Sequence, residues 1–391
     1  MFLTELNRSL WQNHENPFGH YNKQHFARWV VVDDQLVYAA AVDGSAEDYL
    51  TGLANHCTDL LAEIYCHCEN FPESEVPAPE SIGNYLLAHQ EATQMFYHGL
   101  RNRTVAEIQT ESQIYRSIQT FLDGNQDSNE FKAQTADSIL GTIKAHLKGT
   151  GIRFFSDRAH FFNRIPPSLK RKLWWRLPAL VAVVLTALGL IPVILFMEWR
   201  ERRQPSGLSP FVENQQAKAL DFEETLAIQS PMTSVVAIKP GWLRSTTLRL
   251  TLWAIQVLAD HLYNKGKLGS ISSIHFARWA IINHGKHLLF ISNYDGSWES
   301  YLGDFIDRAA LGLTAVWGNA VGFPPSHLLV LGGASHAEAF KTYAKNSQVV
   351  TQFWYSAYPN LSMPNKLNNS AIRAKLMDQS KDSASRWLQR F

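Results

Sequence analysis

Cysteine is scarce in this chain: 391 residues contain three, Cys57, Cys66 and Cys68. So few, and an odd number, exclude a disulfide framework and suit a reducing compartment. An excess of either charge is missing too. Lys and Arg total 36 against 35 for Asp and Glu, so there is no global basic field and nucleic acid is not an expected partner. No secretory leader is expected at the start, where Glu5, Asn7, Asn13, His14 and Glu15 interrupt any apolar core. The common catalytic signatures are also absent: the sequence has no Gly-rich phosphate loop, no Gly-x-Ser-x-Gly elbow and no His-Glu-x-x-His helix. These gaps exclude several enzyme classes and leave the reaction, if any, unnamed.

What is present is a repeat. His25-Phe26-Ala27-Arg28-Trp29 returns as His275-Phe276-Ala277-Arg278-Trp279. Each copy continues into an apolar run, a turn and a second apolar run, then Asp43-Gly44-Ser45 or Asp295-Gly296-Ser297. Phe71-Pro72 and Phe323-Pro324 close the blocks in step. Self-similarity of this length implies an internal duplication. The first copy predicts strands over 25–32 and 36–42 joined by a hairpin turn, then a helix from an N-cap at Ser45 to about residue 65. Two more strands are expected at Tyr85–Ala88 and Met95–Tyr97, and a helix over 105–122. The second copy predicts strands 275–282 and 287–294, helix 297–317, strand 327–332, helix 335–346, strand 349–357 and a helix over 369–389. The short helix 335–346 has no counterpart expected in the first copy. Phe96-Tyr97 corresponds to Trp354-Tyr355, and Tyr115-Arg116 to Ile372-Arg373.

Between the copies lies the other strong signal, residues 177–197, an uncharged stretch of leucine, valine, alanine and isoleucine. At about 1.5 Å per residue such a helix reaches roughly 30 Å, the thickness of a bilayer core. Trp174, Trp175 and Trp199 flank it, with Lys170, Arg171, Lys172, Arg176, Arg200, Arg202 and Arg203 beyond. It reads as a membrane segment, which Gly189 and Pro192 can kink without forbidding. The chain then divides into a lead-in (1–24), a first α+β repeat (25–125), a polar linker (126–170), the membrane segment (171–203), a linker (204–240), an amphipathic helix (241–268) and a second α+β repeat (269–391).

Hairpin, helix, then further strands and helices is an α+β pattern. The element order resembles the ferredoxin-like units of the dimeric α/β-barrel superfamily, here fused in one chain. The blocks HFARWAIINHGKHLLFISNYDGSWESYLGDFID and WYSAYPNLS also look like a group of uncharacterised bacterial membrane-associated proteins. The resemblance implies two ferredoxin-like repeats forming a pseudo-dimer, with an inserted transmembrane or membrane-dipping segment. It implies an inner-membrane protein with its folded part on the cytoplasmic side. The superfamily includes haem peroxidases, chlorite dismutases and small monooxygenases, but no haem-ligand motif of theirs can be laid on this chain residue by residue. Pairing of the repeats within one chain is the favoured arrangement. The competing one is a homo-oligomer in which each half pairs with its copy.

On a regular strand His25, Ala27 and Trp29 share one face and Phe26 and Arg28 the other, and the second copy splits likewise. His25, His275, Trp29 and Trp279 are therefore candidates to line a cleft. Arg28 with Asp43, and Arg278 with Asp295, are the expected ion pairs, pinning each hairpin to a helix start or forming a polar site in both halves. His56-Cys57 and Cys66-His67-Cys68 are read as ordinary thiols and histidines rather than a zinc site, because nine residues separate Cys57 from Cys66 on a helix. The other histidines (His20, His89, His98, His284, His287, His327, His336) are scattered, and none stands out as an iron ligand. Two functions follow as expectations. The first is a membrane-anchored module that binds lipid, an apolar small ligand or a partner. The alternative is an oxidoreductase-like enzyme, of the haem peroxidase or monooxygenase type, using the cleft between the repeats.

Overall fold

The computed structural model describes residues 2–72, 74, 77–101, 103–152, 228–261, 268 and 271–391, with scattered positions between 178 and 199. The chain is α+β. Its first half contains α1 (Phe2–Asn13), β1 (Gln24–Val32), β2 (Gln35–Val42), α2 (Ala46–His56), α3 (Thr58–Tyr65), α4 (Pro79–Ala88), β3 (Thr93–His98), α5 (Val105–Asn125), α6 (Asn129–Lys132) and α7 (Ala136–Gly149). The second contains β4 (Gln229–Ala237), α8 (Trp242–His261), β5 (Ile274–Ile282), β6 (His287–Asp295), α9 (Trp298–Trp317), β7 (Ser326–His327), β8 (Leu331–Gly332), α10 (Ala337–Asn346), β9 (Phe353–Ser356), α11 (Met363–Leu376) and α12 (Ala384–Leu388).

The helices start where side-chain oxygens can serve free backbone N–H groups. Ser45 caps α2 by accepting from Asp48 N at 3.0 Å, as its spacing suggests, and Ser297 caps α9. Thr104 and Glu107 form a reciprocal capping box on α5, and Ser362 caps α11 at the corresponding place.

Two antiparallel sheets carry the fold, in the orders β2-β1-β9 and β3-β5-β6-β4. The two halves exchange strands. β9, from the second half, pairs with β1, setting Ala27 opposite Tyr355 and Arg28 opposite Trp354. β3, from the first half, pairs with β5, setting Ala277 opposite Tyr97 and Arg278 opposite Phe96. The halves therefore pair within one chain. No ferredoxin-like unit is built from either half alone, because each sheet takes strands from both.

Each sheet has a helix-covered face and a face turned to the other sheet. Ala27 and Trp29 pack with Tyr49, Leu53, Leu61 and Ile82 of α2–α4, while Ala277, Trp279 and Ile281 pack under α8 and α9. Between the sheets, Ala39 of β2 meets Ala280, Leu289 and Ile291, and Phe26 meets Phe276. α5, α7, α11 and α12 close one end around Ile114, Ile372 and Trp387.

Several expectations are corrected. Tyr85–Ala88 is the end of α4, not a strand. α4 precedes β3 as α10 precedes β9, so the first half does have a short helix in that place. Residues 327–332 form two-residue strands around Leu328 and Leu329, both at positive φ, rather than one strand. The described part of the 126–170 linker contains α6 and α7, and the end of the 204–240 linker is β4, an integral strand. From Phe96 and Trp354 onward the halves run in step without a gap, so Ile372 matches Ile114 rather than Tyr115, and both isoleucines are fully buried. Among the described residues no helix is long and apolar enough to cross a membrane. Most of the 177–197 run lies outside the described residues.

Phe353 tests the exchange. It is 0% exposed in the core of the opposite half, 5.0 Å from the Trp29 ring and 6.0 Å from Phe18. Phe353→Ala is expected to cost about 3–5 kcal/mol in urea unfolding and to change the near-UV signal of Trp29. A loss under 1 kcal/mol would place Phe353 elsewhere.

Candidate functional site

The repeated His-Phe-Ala-Arg-Trp stretch does not follow regular alternation. In β1 the pairing steps from Gln24↔Val42 to Phe26↔Ala41, and in β5 from Ile274↔Tyr294 to Phe276↔Asn293. One residue in each copy, His25 or His275, is therefore bulged out of register, which re-aims its side chain. His25 lies 5.3 Å from the Phe276 ring and His275 5.5 Å from Phe26. Both histidines thus join the phenylalanines near the junction of the halves. Trp29 and Trp279 stay on the helix-covered faces, where Trp29 donates to Tyr65 at 3.1 Å and Trp279 packs against Phe290 with the rings tilted by 38°. Of the expected cleft residues, the structure brings the histidines together and leaves the tryptophans in two separate cores.

The expected Arg–Asp pairs are replaced by His–Asp pairs. His25 Nε2 lies 3.0 Å from Asp43 Oδ1, and His275 Nε2 lies 2.6 Å from Asp295 Oδ1. The second carboxylate oxygen of each aspartate accepts from a helix's first N–H, Val105 N at 2.9 Å and Met363 N at 2.7 Å. Each hairpin is indeed pinned to a helix N-terminus, but to α5 or α11, and the bulged histidine takes the place assigned to arginine.

A carboxylate only accepts, so each Nε2 carries the proton and each Nδ1 is an acceptor in the neutral ring. Tyr358 hydroxyl lies 2.7 Å from His25 Nδ1, and Lys366 Nζ lies 2.5 Å from His275 Nδ1. Lys366 Nζ is also 3.9 Å from the centre of the Tyr358 ring. Two arrays, Asp43–His25–Tyr358 and Asp295–His275–Lys366, thereby meet face to side. Burial is the leading cause of every titration shift here. It lowers His25, lowers His275 to about 4 with help from Lys366, lowers Lys366 well below the usual lysine value, and raises Tyr358 well above the usual tyrosine value. His98, 5.6 Å from His25, is likewise held well below the ordinary histidine range by burial.

Arg28 and Arg278 instead reach across to the opposite sheet. Arg28 donates to Met232 O, Thr233 Oγ1, Ser292 O and Asn293 Oδ1, all neutral acceptors. Arg278 donates to Ala40 O at 2.9 Å, the counterpart of the Arg28–Ser292 bond, and lies over the Phe96 ring. Burial lowers Arg28 to about 9 and Arg278 to about 10. A buried guanidinium without such acceptors would cost several kcal/mol, so these bonds act as inter-sheet ties. A second buried charge cluster ties α5 to α11: Arg103 Nε lies 3.1 Å from Glu111 Oε1 and Arg373 Nη1 3.6 Å away. Burial nevertheless pushes Glu111 up to about 7.

Tyr358, Lys366 and His98 were not among the expected site residues. A signal for Lys366 exists in the sequence. Met363, Lys366, Ser370 and Arg373 recur at spacings of three and four, so a lysine stands on the buried stripe of α11. The three cysteines are free, and among the described residues no group of three or more His, Cys, Asp and Glu side chains could hold a metal ion. Haem ligation by His25 or His275 does not fit the geometry, since both nitrogens of each ring are already engaged.

Comparison with known proteins gives no match. No family model fits the sequence, and neither a curated protein nor a solved structure is similar to it.

The His275 shift has a definite sign. Its folded value of about 4 lies below the ordinary histidine value of 6.5, so between these pH values the unfolded chain binds the extra proton and stability falls on acidification. The loss from this group is on the order of 3 kcal/mol. Glu111, raised to about 7, acts in the opposite direction over an overlapping window, so a global melt would blend the two. NMR titration of the His275 ring isolates it: no titration between pH 8 and 5 is expected, and a midpoint near 6.5 would contradict the buried neutral array.

Proposed function

We propose that the chain is a membrane-associated binding protein built from two fused, strand-exchanged copies of one α+β unit. The repeated sequence blocks, the interchanged contacts and the sheets facing each other with helices outside support the duplication and the likeness to dimeric α/β barrels. The observation that carries the membrane reading is a set of apolar side chains held in solvent between 178 and 199. Val181, Val184, Leu185, Leu188, Leu195, Phe196 and Trp199 are 49–63% exposed. A soluble surface seldom concentrates large apolar groups in this way, whereas a bilayer interface removes them from water at about 25 cal/mol per Å². Basic residues bracket the run in sequence, as membrane segments require.

The amphipathic helix expected at 241–268 is α8, and it packs on the fold. Leu248, Leu252, Val257 and Ala259 are buried, and Gln256 accepts from Phe96 N at 2.6 Å. Its outward Trp242 is 78% exposed and Leu250 45%, which adds apolar surface beside its own domain. An internal apolar ligand is less well served. The cavity lined by Phe290, Tyr301, Phe305, Trp317, Phe340 and Tyr343 measures about 20 Å³, room for one water. Lipid at the surface is the partner this chain fits best.

Vesicle flotation checks the reading. The full chain is expected to float with phosphatidylcholine vesicles containing a fifth anionic lipid. The double variant Leu185→Glu, Phe196→Glu is expected to reduce the floated fraction at least tenfold while unfolding in urea like the parent. A parent chain that stays wholly with the soluble fraction would contradict it.

A further inference from the structure

The most chemically unusual group in the molecule is Lys366. It is 2% exposed and sits on the inner stripe of α11. His275 Nε2 is committed to Asp295, so the ring offers Lys366 an acceptor nitrogen at 2.5 Å. The remaining surroundings are the Tyr358 ring at 3.9 Å, the Phe26 ring at 5.5 Å, and the imidazoles of His25 and His98. Among the described residues Asp295 is the one carboxylate acting on the amine, and its oxygens are bonded to His275 and Met363 N. The corresponding position in the first half is Ile108, so nothing about the scaffold itself demands a lysine there.

We propose that Lys366, with His275 and Asp295, forms a reactive-amine site that condenses with a small aldehyde to give an imine. The proposal goes beyond the membrane reading and does not rest on it. Burial beside one acceptor, His275 Nδ1, holds the amine well below the usual lysine value and so raises the share that carries a free lone pair to attack. Nζ adds to the carbonyl carbon, the C=O π bond opens onto oxygen, and His275 Nδ1 takes a proton from the nitrogen while Asp295 steadies the imidazolium. The proton returns to the carbinolamine oxygen, the C–O bond breaks, and water leaves as the second N–H proton is lost. One amine and one aldehyde become one imine and one water, with no oxidant or reductant required. The array reaches solvent through the Asp295 side chain, 14% exposed, the Asp43 side chain, 22% exposed, and the half-buried His98.

Reductive trapping tests this on the full chain. Acetaldehyde with cyanoborohydride at pH 6.5, followed by peptide mass mapping, is expected to ethylate Lys366 at least tenfold faster than the exposed Lys132, Lys286 and Lys381. Denaturing the protein first should abolish the preference. In His275→Gln, checked for native circular dichroism, the Lys366 rate is expected to drop at least tenfold. Ethylation of the three surface lysines with Lys366 untouched would overturn the proposal. So would a selective Lys366 rate that His275→Gln leaves unchanged, because the activation would then not come from the imidazole.

Discussion

The structure depends on one contact, the meeting of Phe26 and Phe276 with ring centroids 5.4 Å apart. Both rings are buried, 2% and 5% exposed. Each projects from the inner face of its sheet, beside a bulged histidine that packs against the other's phenylalanine. The exchanged strands follow from this juxtaposition. With β1 and β5 held together, β9 can complete the first sheet and β3 the second, and Arg28 and Arg278 can reach carbonyls on the far side. An apolar centre sets the geometry, and buried polar groups then fix its register, since each must find its partner or lose roughly 1–3 kcal/mol.

The polar groups around that centre stay neutral wherever they can. Two aspartates are served by helix N–H groups and imidazole N–H groups, so their charge is accommodated without a cation. The imidazoles, deprived of water, remain unprotonated and pass their acceptor nitrogen to a phenol in one half and an amine in the other. The two arrays differ only in this last member, and both last members come from the second half. Leu100 and Ile108 stand at the corresponding first-half positions. The halves thus share a frame and divide its chemistry unequally.

Much of the frame was legible in the sequence because it obeys local rules. Paired apolar runs joined by a short turn marked both hairpins, Ser45 and Asp48 marked a cap, and the repeated five-residue stretch marked the centre. The α+β class followed from their order. What the sequence concealed was non-local. A bulge at His25 leaves no mark in composition, yet it moves the histidine to the side of Phe26 and undoes the Arg28–Asp43 and Arg278–Asp295 pairing. Tyr85–Ala88 is apolar enough for either strand or helix, and Pro79 at the first turn with packing on α2 decides for helix. The residues at Gln229–Ala237 looked like linker because Pro231 and flanking prolines suggested a break. β4 tolerates Pro231 as an edge strand, where a missing N–H need not face a neighbour.

The halves complete each other's sheets inside a single chain. Arg28 and Trp354 oppose each other at a non-hydrogen-bonded position of β1 and β9, where the two Hα atoms of an antiparallel pair come close. The decisive measurement is an Hα–Hα nuclear Overhauser effect between Arg28 and Trp354, recorded where sedimentation shows a monomer. A strong cross-peak is expected. Its absence, or its appearance only between differently labelled chains in a mixed sample, would contradict strand exchange within the molecule.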